Sequence, residues 1–566
     1  MKILSLHCDY IKFKPLKKAL RTPEELSEKR KGEIEVREPL VILVAVEKQD
    51  EANSGIVDEV VQEIRDIAGQ VKVKDIVLYP YAHLSPSLSK PDFALKTLEA
   101  VDKVLKKDFN IVRAPFGYYK EFELKVKGHP LSELSREIHF SGELPGEGKG
   151  EGEDYKQLLR EISKSKLDAR ELKDNDHRIL AKQMDLFSFS ETAPGMVFWH
   201  NNGLIIRNAL IDFWREEHRK AGYQEIKTPQ ILDKKLWQIS GHWEKYKDNI
   251  FLTNYDKRQF AVKPMNCPGG MLVYKNSPKS YNDLPLRVGE LGEVHRQELS
   301  GVLGGIFRVI QFTQDDAHIY CTEKQLESEL IGVMDLVDKF YSKFGFKFRV
   351  ELSTRPEKRI GDDKMWDKAE KVLEKVLKKK EINFKINEGD GAFYGPKIDF
   401  HLKDSLGREW QTATLQLDFA MPERFDLNYV GEDNKEHRPI VLHRTIYGSL
   451  ERFIGILLEH YNGRLPLWLA PRQVRVINFT DRNNGACSAL VDELKNKDFR
   501  VDSDFGSEPV GGKVRRAEVE KLNYIVVIGD KEEKSGELAV RIGGKVKNMK
   551  KGEFFDMLSK EVEGKN

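Results

Sequence analysis

Three side chains of the kinds that bind zinc stand far apart in this sequence: Cys267, His318 and His443. Thiolate sulfur and imidazole nitrogen are good zinc donors, but local zinc motifs place their ligands only a few residues apart. A free cysteine is often a small buried hydrophobe, and a lone histidine often has a structural role. On spacing alone, a structural role is the more economical interpretation for each residue.

Spacing alone is equally unable to show which arginines bind phosphate. Arg296 and Glu298 form an R-x-E sequence, which taken alone predicts an ordinary pair on the surface of a strand. Arg452 lies in the helical pattern IYGSLERFIGILLEH but off its apolar stripe, so by itself it predicts a side chain that faces solvent. The stripe consists of Ile446, Leu450, Phe453 and Leu457.

The elements that must position these residues fall into three domains and a linker, within an α/β and α+β multidomain protein of 566 residues. Residues 1–140 alternate strand and helix patterns, which predicts an α/β domain. Residues 141–176 open on a run of glycine, glutamate and proline, typical of a linker. Tryptophans and long strand-like runs mark residues 177–466, and βα alternation returns in residues 467–566.

Composition points to a protein of the cytoplasm with no membrane segment. The formal net charge is only +2, so global charge does not by itself indicate a nucleic-acid-binding protein. The four cysteines form no CxxC pair, which fits a reducing compartment. The N-terminal MKILSLHCDY lacks the apolar core of a signal peptide, and the apolar run Leu40–Val46 is too short to span a bilayer.

Ordered blocks in the central segment resemble class II aminoacyl-tRNA synthetases, and the threonyl-tRNA synthetase family in particular. The blocks are MNCPGG at 265–270, GEVHRQELSGVLGGIFRVIQFTQDDAHIYC at 292–321, FYGPKIDF at 393–400, REWQTATLQLDF at 408–419, NYVGED at 428–433 and HRTIYGSLERFIGILLEH at 443–460. A lone R-x-E would be a weak signal, whereas this ordered set is very specific. The segment AGYQEIKTPQI, with Gly222 and Pro229, resembles the first class II motif, which in the family forms the dimer interface.

The resemblance implies an antiparallel-sheet catalytic domain at 177–466 that joins L-threonine to tRNA(Thr) through ATP, in a homodimer. It implies one zinc ion per subunit, held by Cys267, His318 and His443, and Mg²⁺ with ATP. It makes Arg296 and Arg452 catalytic, and it assigns ATP contacts to Glu298, Arg308, Phe312, Gln411 and Arg452. It assigns threonine contacts to Met265, Gln314, Asp316, Tyr394 and Gln416, with Asp316 at the substrate hydroxyl.

Residues 1–140 resemble the archaeal-type editing domain of this family, itself similar to D-aminoacyl-tRNA deacylases. The matching text is HCDYI at 7–11, YPYAHLS at 79–85, RAPFGYYKEF at 113–122 and GHPLSELSR at 128–136. Hydrolytic editing is expected because a zinc site accepts serine, and one missing methyl group is worth only about 1–3 kcal/mol. The resemblance implies a serine pocket lined by Ala82, His83, Tyr119, Lys120 and Glu133.

Residues 467–566 resemble the class II anticodon-binding domain, most clearly in GDKEEKSGELAVR, which implies anticodon contacts for Glu532 and Arg541. Either residue could equally be one end of a surface ion pair. Ile310 departs from the family, which often has arginine at this position of the second motif. Two alternatives stay open: a prolyl-type class II synthetase, and a synthetase-like protein that binds RNA without aminoacylating it.

Overall fold

The computed structural model describes residues 1–20, 23–53, 55–85, 87–129, 131–137 and 172–565. The chain divides into two compact units, Met1–Glu153 and Asp154–Asn566. Most of the predicted linker, residues 141–171, lies outside the described residues. Within the described ranges, every helix is too short or too polar to cross a bilayer.

The first unit is a seven-stranded sheet with two long helices packed against one face. Strands β3, β4 and β5 are parallel, with β5 at the edge of the sheet, and α2 and α3 form the crossovers between them. These elements confirm the strand and helix patterns predicted for the α/β domain. The elements are β1 (Lys2–Lys18), α1 (Glu28–Lys31), β2 (Ile34–Arg37), β3 (Leu40–Ala45), α2 (Ile56–Val71), β4 (Asp75–Pro80), α3 (Pro91–Leu105), β5 (Asn110–Arg113), β6 (Tyr118–Val126) and β7 (Glu133–Glu137).

The long strand β1 joins the two parts of this sheet. Its first residues pair with β3 and β7, and its later residues pair with β2 and β6. The pairing with β6 shifts register between Pro15 and Lys17, which bends the strands locally. On the face opposite the helices, Phe13 and Tyr79 pack edge to face with ring centroids 5.8 Å apart. Tyr79 also lines the pocket described below.

The central part of the second unit is an eight-stranded sheet in the order β10-β14-β15-β22-β19-β18-β16-β17. Its interior pairs are antiparallel, and only the two outermost pairs are parallel. The elements are α4 (His177–Met184), β8 (Phe187–Ser188), β9 (Phe198–Trp199), α5 (Asn201–Lys220), β10 (Gln224–Glu225), β11 (Ile231–Asp233), α6 (Lys234–Ile239), α7 (His242–Tyr246), β12 (Leu252–Tyr255), β13 (Arg258–Val262), α8 (Cys267–Lys275), β14 (Leu286–His295), β15 (Gln311–Cys321), α9 (Leu326–Lys343), β16 (Lys347–Ser353), α10 (Asp363–Lys379), β17 (Phe384–Asn387), β18 (Lys397–Lys403), β19 (Glu409–Asp418), α11 (Met421–Arg424), β20 (Tyr429–Val430), β21 (Glu436–His437), β22 (Ile440–Thr445) and α12 (Leu450–His460).

The two faces of this sheet have different roles because side chains alternate along each strand. On β19, Ala413, Leu415 and Leu417 enter the main core, which α5, α9 and α12 complete. The intervening Thr414 and Gln416 line a polar cavity on the other face. The predicted class II antiparallel sheet is thereby confirmed.

The C-terminal residues of the second unit form a five-stranded sheet in the order β24-β23-β25-β26-β27. The first three strands are parallel and the last two are antiparallel, so the predicted βα alternation is confirmed. The elements are β23 (Val474–Asn478), α13 (Asn484–Lys495), β24 (Val501–Asp504), α14 (Val510–Val519), β25 (Tyr524–Ile528), α15 (Asp530–Ser535), β26 (Glu537–Ile542), β27 (Lys545–Lys550) and α16 (Lys551–Glu563).

Candidate active sites

A cavity of about 530 Å³ opens on the polar face of the eight-stranded sheet. Every residue that the sequence resemblance assigned to the catalytic centre lines it. These are Met265, Cys267, Arg296, Glu298, Arg308, Phe312, Gln314, Asp316, His318, Tyr394, Gln411, Gln416, His443 and Arg452.

Cys267, His318 and His443 come together at one end of the cavity. Strand register explains the histidines, because His318 on β15 lies directly opposite His443 on β22. The two rings meet edge to face, with centroids 4.8 Å apart. Cys267 begins α8, and its Sγ and one nitrogen of each histidine all lie within 4.8 Å of one another. Ligands of a tetrahedral zinc ion are about 3.5 Å apart, so small side-chain movements suffice to complete such a site.

Burial shifts the protonation of two of these residues, His318 and Cys267. It lowers the pKa of His318 well below its usual range, so the imidazole is neutral and has a free lone pair. Burial and the carboxylates of Asp316 and Asp418 raise the pKa of the Cys267 thiol well above its usual range. A buried thiol of this kind is deprotonated when it coordinates a dication. The donor set, its burial and its spacing therefore fit a zinc ion.

Asp418 orients the metal-site imidazole of His443, a role that sequence reasoning missed. Its Oδ2 lies 2.7 Å from Nε2 of His443, which leaves Nδ1 as the nitrogen available to a metal. Its Oδ1 accepts hydrogen bonds from the backbone N–H groups of Ala420 and Met421, at 2.8 and 2.9 Å. A carboxylate behind a ligating histidine is a recurrent feature of zinc sites. The only sequence signal was an aspartate at the end of a buried strand.

The amino-acid end of the cavity has two polar pairs. Asn266 Nδ2 donates to Asp316 Oδ2 at 2.8 Å, and Tyr394 Oη donates to Gln416 Oε1 at 2.7 Å. Burial raises the pKa of Asp316 to about 6. The other carboxylate oxygen, Oδ1, takes no part in the hydrogen bond from Asn266, and Asp316 lines the cavity, where a bound hydroxyl could donate to it.

Cations and an aromatic ring occupy the other end. The Arg296 guanidinium lies 5.1 Å from the ring centroid of Phe312, and its Nε donates to the carbonyl of Pro264. Burial and the nearby Arg308 and Arg296 lower the pKa of Arg452. Clustered cations of this kind are stabilised by a polyanion such as a triphosphate.

Two residues predicted to contact ATP bind each other. Arg308 Nη2 and Glu298 Oε2 form an ion pair of 2.8 Å at the cavity mouth. The pair involves only Oε2 of Glu298 and Nε and Nη2 of Arg308, so Oε1 and Nη1 take no part in it. Ile310 is buried and donates its N–H to the carbonyl of Gly195 at 2.7 Å, so this position offers no charged side chain to the cavity.

Lys397 also lines the cavity, and the sequence analysis did not single it out. Its Nζ lies 2.8 Å from Asp399 and 2.9 Å from Asp390. Asp399 is buried and accepts from Gln411 Nε2 at 2.6 Å and from Thr414 at 3.0 Å. The lysine lies within FYGPKIDF, so the block marked it although its spacing did not.

The first unit carries a separate pocket of about 480 Å³, lined largely by apolar side chains. Four of the five predicted editing residues line it, namely Ala82, His83, Tyr119 and Lys120. The fifth, Glu133, is an exposed residue at the start of β7 and is not among the lining residues. Its pairing with Leu6 of β1 holds it on a different part of the sheet, so a role at this pocket stays a prediction.

Lys120 is the polar centre of this pocket. Its Nζ donates to the carbonyls of Pro115 and Tyr118, at 2.9 and 3.2 Å, and lies 5.0 Å from the Tyr79 ring centroid. Burial lowers the pKa of Lys120 to about 8. At that pKa roughly a tenth of the amine is neutral at pH 7, and only the neutral form can accept a proton.

The two predicted anticodon residues lie on neighbouring elements of the C-terminal sheet. Glu532 belongs to α15, and its Oε2 accepts the backbone N–H of Gly529 at 3.0 Å. Arg541 lies on β26, donates to the carbonyl of Gly544 at 3.0 Å and lies 3.8 Å from Glu518. Both side chains are partly exposed and already have intramolecular partners.

Comparisons with known proteins identify the parts of the chain. Residues 1–138 match the archaea-specific editing domain of threonyl-tRNA synthetase. Residues 251–461 match the class II tRNA synthetase core domain for G, H, P, S and T, and residues 473–561 match an anticodon-binding domain. The class II fold and the editing-type domain expected from the sequence are both confirmed.

Individual relatives agree with these matches. The chain is 54% identical over 397 residues to a threonine–tRNA ligase of Desulforamulus reducens, covering 70% of this chain and 62% of the relative. It is 51% identical over 427 residues to one of Clostridium botulinum, covering 73% of this chain and 67% of the relative. The chain thus spans about two thirds of the length of these relatives.

Two solved structures share the fold. The RNA-binding domain of threonyl-tRNA synthetase from Cryptosporidium parvum superposes with a TM-score of 0.66 and 38% identity, over 68% of this chain and 98% of that chain. A structure of ThrRS-1 from Aeropyrum pernix superposes with a TM-score of 0.62 and 30% identity, over 69% of this chain and 96% of that chain. With its cavity, its metal-type cluster and these relatives, this chain belongs to the threonyl-tRNA synthetase family.

Proposed function

We propose that this protein ligates L-threonine to tRNA(Thr) and hydrolyses Ser-tRNA(Thr) that it forms in error. The observation that carries the proposal is the convergence of Cys267, His318 and His443 in the same cavity as Arg296 and Arg452. One end of this cavity suits a metal that selects an amino acid, and the other suits a nucleotide. The two chemistries meet where an activated amino acid would form.

In the first step, a threonine carboxylate oxygen bonds to the α-phosphorus of ATP, and the bond from that phosphorus to the pyrophosphate breaks. Two anions must approach each other, so the step needs cations where charge accumulates. Arg296 and Arg452 supply guanidinium groups with several donors each at this cavity. Mg²⁺ would accompany the ATP phosphates. In the second step, a hydroxyl of the tRNA terminal ribose attacks the threonyl carbonyl and AMP leaves.

The cluster of Cys267, His318 and His443 would provide the selection of threonine. A zinc ion held by the thiolate and two imidazoles would offer open positions to the amino nitrogen and the hydroxyl oxygen of the substrate. Asp316, oriented by Asn266, would accept the hydrogen bond of that hydroxyl. Valine is nearly the same shape as threonine but lacks the hydroxyl, and a site built for a hydroxyl rejects such an analogue by about 10⁴–10⁵-fold.

Serine passes this test because it also has a hydroxyl and an amine. The apolar pocket of the first unit is the proposed site of its removal, with Lys120 and His83 positioning a water molecule or the terminal adenosine. The low pKa of Lys120 supports a part in proton transfer. Water would then add to the ester carbonyl, and serine and free tRNA would separate. Ala82, Tyr119 and Glu133 complete the proposed residue set.

The proposed partners follow the family. The C-terminal domain would read the anticodon with Glu532 and Arg541, since a carboxylate and a guanidinium suit base edges. The subunits would pair as a homodimer through the segment that contains Gly222 and Pro229, and the protein would act in the cytoplasm. Domain boundaries of 1–140, 141–176, 177–466 and 467–566 are part of the same proposal.

ATP–pyrophosphate exchange on the purified, zinc-loaded protein tests the catalytic proposal. We expect exchange with threonine, weaker exchange with serine and little with valine or proline. Cys267→Ala should abolish it, whereas Cys487→Ala, a buried cysteine of the C-terminal core, should not. Exchange with proline alone would favour a prolyl-type enzyme. No exchange with any amino acid would favour an RNA-binding protein.

Deacylation of Ser-tRNA(Thr) by the full chain tests the editing proposal. The double variant Lys120→Ala, His83→Ala should lose it, while threonine exchange stays intact. Lys125→Ala is a matched control, because Lys125 lies on the same strand but is exposed and paired with Asp9 at 3.1 Å. Wild-type deacylation by the double variant would remove both residues from the proposed editing mechanism.

A further inference from the structure

His177 at the start of α4 is a buried histidine that the proposed mechanism does not use, and its side chain is 2% exposed. Both of its ring nitrogens have partners. Nδ1 lies 2.7 Å from Glu459 Oε1, and Nε2 lies 3.2 Å from the backbone nitrogen of Ile306. These two partners are 153 positions apart in the sequence, so His177 ties helix α12 to the loop between β14 and β15.

The tautomer of His177 follows from these contacts. The backbone N–H of Ile306 can only donate, so Nε2 must accept and the ring proton must be on Nδ1. That proton is donated to Glu459, which also accepts the backbone N–H of His177 at 3.0 Å. The other oxygen of Glu459 binds Arg408 at 2.7 Å. With both nitrogens engaged, His177 is a hydrogen-bonding residue and not a metal ligand.

The loop has a shape that fits the histidine closely. Gly305 has a φ of +54°, and a Cβ at this position would lie 2.0 Å from His177 Nε2. A side chain there would prevent the contact, so the glycine allows the loop backbone to reach the ring. The neighbouring Phe307 packs on His177 with ring centroids 4.2 Å apart and on Trp410 at 4.5 Å. The loop is therefore held by a hydrogen bond and by ring packing on two sides.

This loop leads directly to the nucleotide end of the cavity. The carbonyl of Phe307 accepts a hydrogen bond from Nε of Arg452 at 2.9 Å. The next residue in the chain is Arg308, which also lines the cavity. Any displacement of the backbone at 305–308 would move Arg308 and remove the acceptor that orients Arg452.

We infer that His177 is a positioning residue for ATP, which fixes the loop backbone so that Arg308 and Arg452 face the phosphates. The inference rests on the proposed activation of threonine by ATP, and it adds a residue that lies outside the cavity and contacts no substrate. Threonine binds at the opposite, metal-type end, so its own binding should not depend on His177. A residue with a purely structural role would not separate the two substrates in this way.

Two substitutions test the roles of the two ring nitrogens of His177 separately. His177→Asn keeps a donor near the position of Nδ1 and removes the acceptor for Ile306, whereas His177→Gln can place a carbonyl oxygen near the position of Nε2. Leaving a buried N–H without an acceptor predicts about a tenfold rise in KM for ATP in His177→Asn. KM for threonine should stay within about twofold, and His177→Gln should recover most of the ATP affinity.

His200→Asn is the matched control, since His200 also has both nitrogens paired, with Asp185 at 2.6 Å and Ser188 at 3.0 Å, but does not contact the loop. Its kinetics should match wild type. The readouts are ATP–pyrophosphate exchange with each substrate varied and calorimetric titration of ATP. An equal rise of both KM values, or unchanged ATP binding in His177→Asn, would overturn the inference. Absence of exchange in the wild-type protein would instead overturn the proposed function.

Discussion

Replacing Asp418 with asparagine should weaken zinc binding about 10- to 100-fold, although Asp418 is not itself a proposed ligand. The wild-type carboxylate accepts from His443 with one oxygen and from the N–H groups of Ala420 and Met421 with the other. Asparagine has only one carbonyl oxygen. Whichever way its amide is turned, an NH₂ group faces a buried donor.

The magnitude follows from that mismatch. A buried donor without an acceptor costs about 1–3 kcal/mol, and 1.36 kcal/mol corresponds to a tenfold change in an equilibrium constant. If the N–H of His443 loses its acceptor, the ring is free to rotate and its Nδ1 no longer faces Cys267 and His318. That loss of orientation would lower the metal affinity.

Zinc affinity measured by competition with a chromophoric chelator tests this expectation, with threonine-dependent exchange measured on the same samples. Asp433→Asn is the matched control, because Asp433 Oδ1 lies 2.8 Å from Nε2 of His437, close to the 2.7 Å between Asp418 and His443, but both of these side chains are exposed. The control should bind zinc as wild type does. Unchanged zinc affinity in Asp418→Asn, alongside metal loss in Cys267→Ala, would refute the orienting role of the carboxylate.

Three other predictions concern proton transfer, phosphate binding and stability. Burial lowers the pKa of Lys120 to about 8, so the neutral fraction of its amine increases as the pH rises. The rate of Ser-tRNA(Thr) deacylation should therefore increase with pH and level off above about pH 8, whereas the rate of hydroxide-driven hydrolysis would keep rising. Arg452→Ala should lower kcat/KM for ATP–pyrophosphate exchange by about 10²–10³-fold with zinc content unchanged, and a change below about threefold would contradict its role at the phosphates. Lys263→Met removes the cation that lies 2.9 Å from the buried carboxylate of Glu290. This change should lower the free energy of unfolding by about 3–5 kcal/mol and lower the Tm measured by calorimetry. Adding Glu290→Gln should restore part of the lost stability.

Local sequence pattern was sufficient for several of the strands and helices. The apolar run at Leu40–Val46 became the buried strand β3, and the helical patterns of the first domain became α2 and α3. Such elements depend on which side chains repeat at the period of a helix or a strand, and that information lies within a short stretch of chain. The family blocks then indicated which side chains belong to a catalytic centre.

Spacing could not indicate which of these side chains would meet. His318 and His443 are neighbours because β15 and β22 pair in one register, and a shift by one residue would turn either ring to the other face. Asp418 had only the weak signal of an aspartate at the end of a buried strand, and His177 had none, since their roles depend on partners from distant elements. Glu133 is a further case, because its block implies a pocket residue, whereas the structure shows only its pairing with Leu6 of β1, and its role at the pocket stays a prediction.

The sequence by itself therefore determined the elements, the family and the chemical types available at the site. Only the tertiary structure decided how these side chains combine. It brings Cys267, His318 and His443 together at one end of a cavity, places arginines at the other end, and buries Lys120 in a separate pocket where its pKa is lowered. The physical reason is that periodicity is a property of neighbouring residues, whereas strand register, desolvation and hydrogen-bond partners are set by residues distant in the chain.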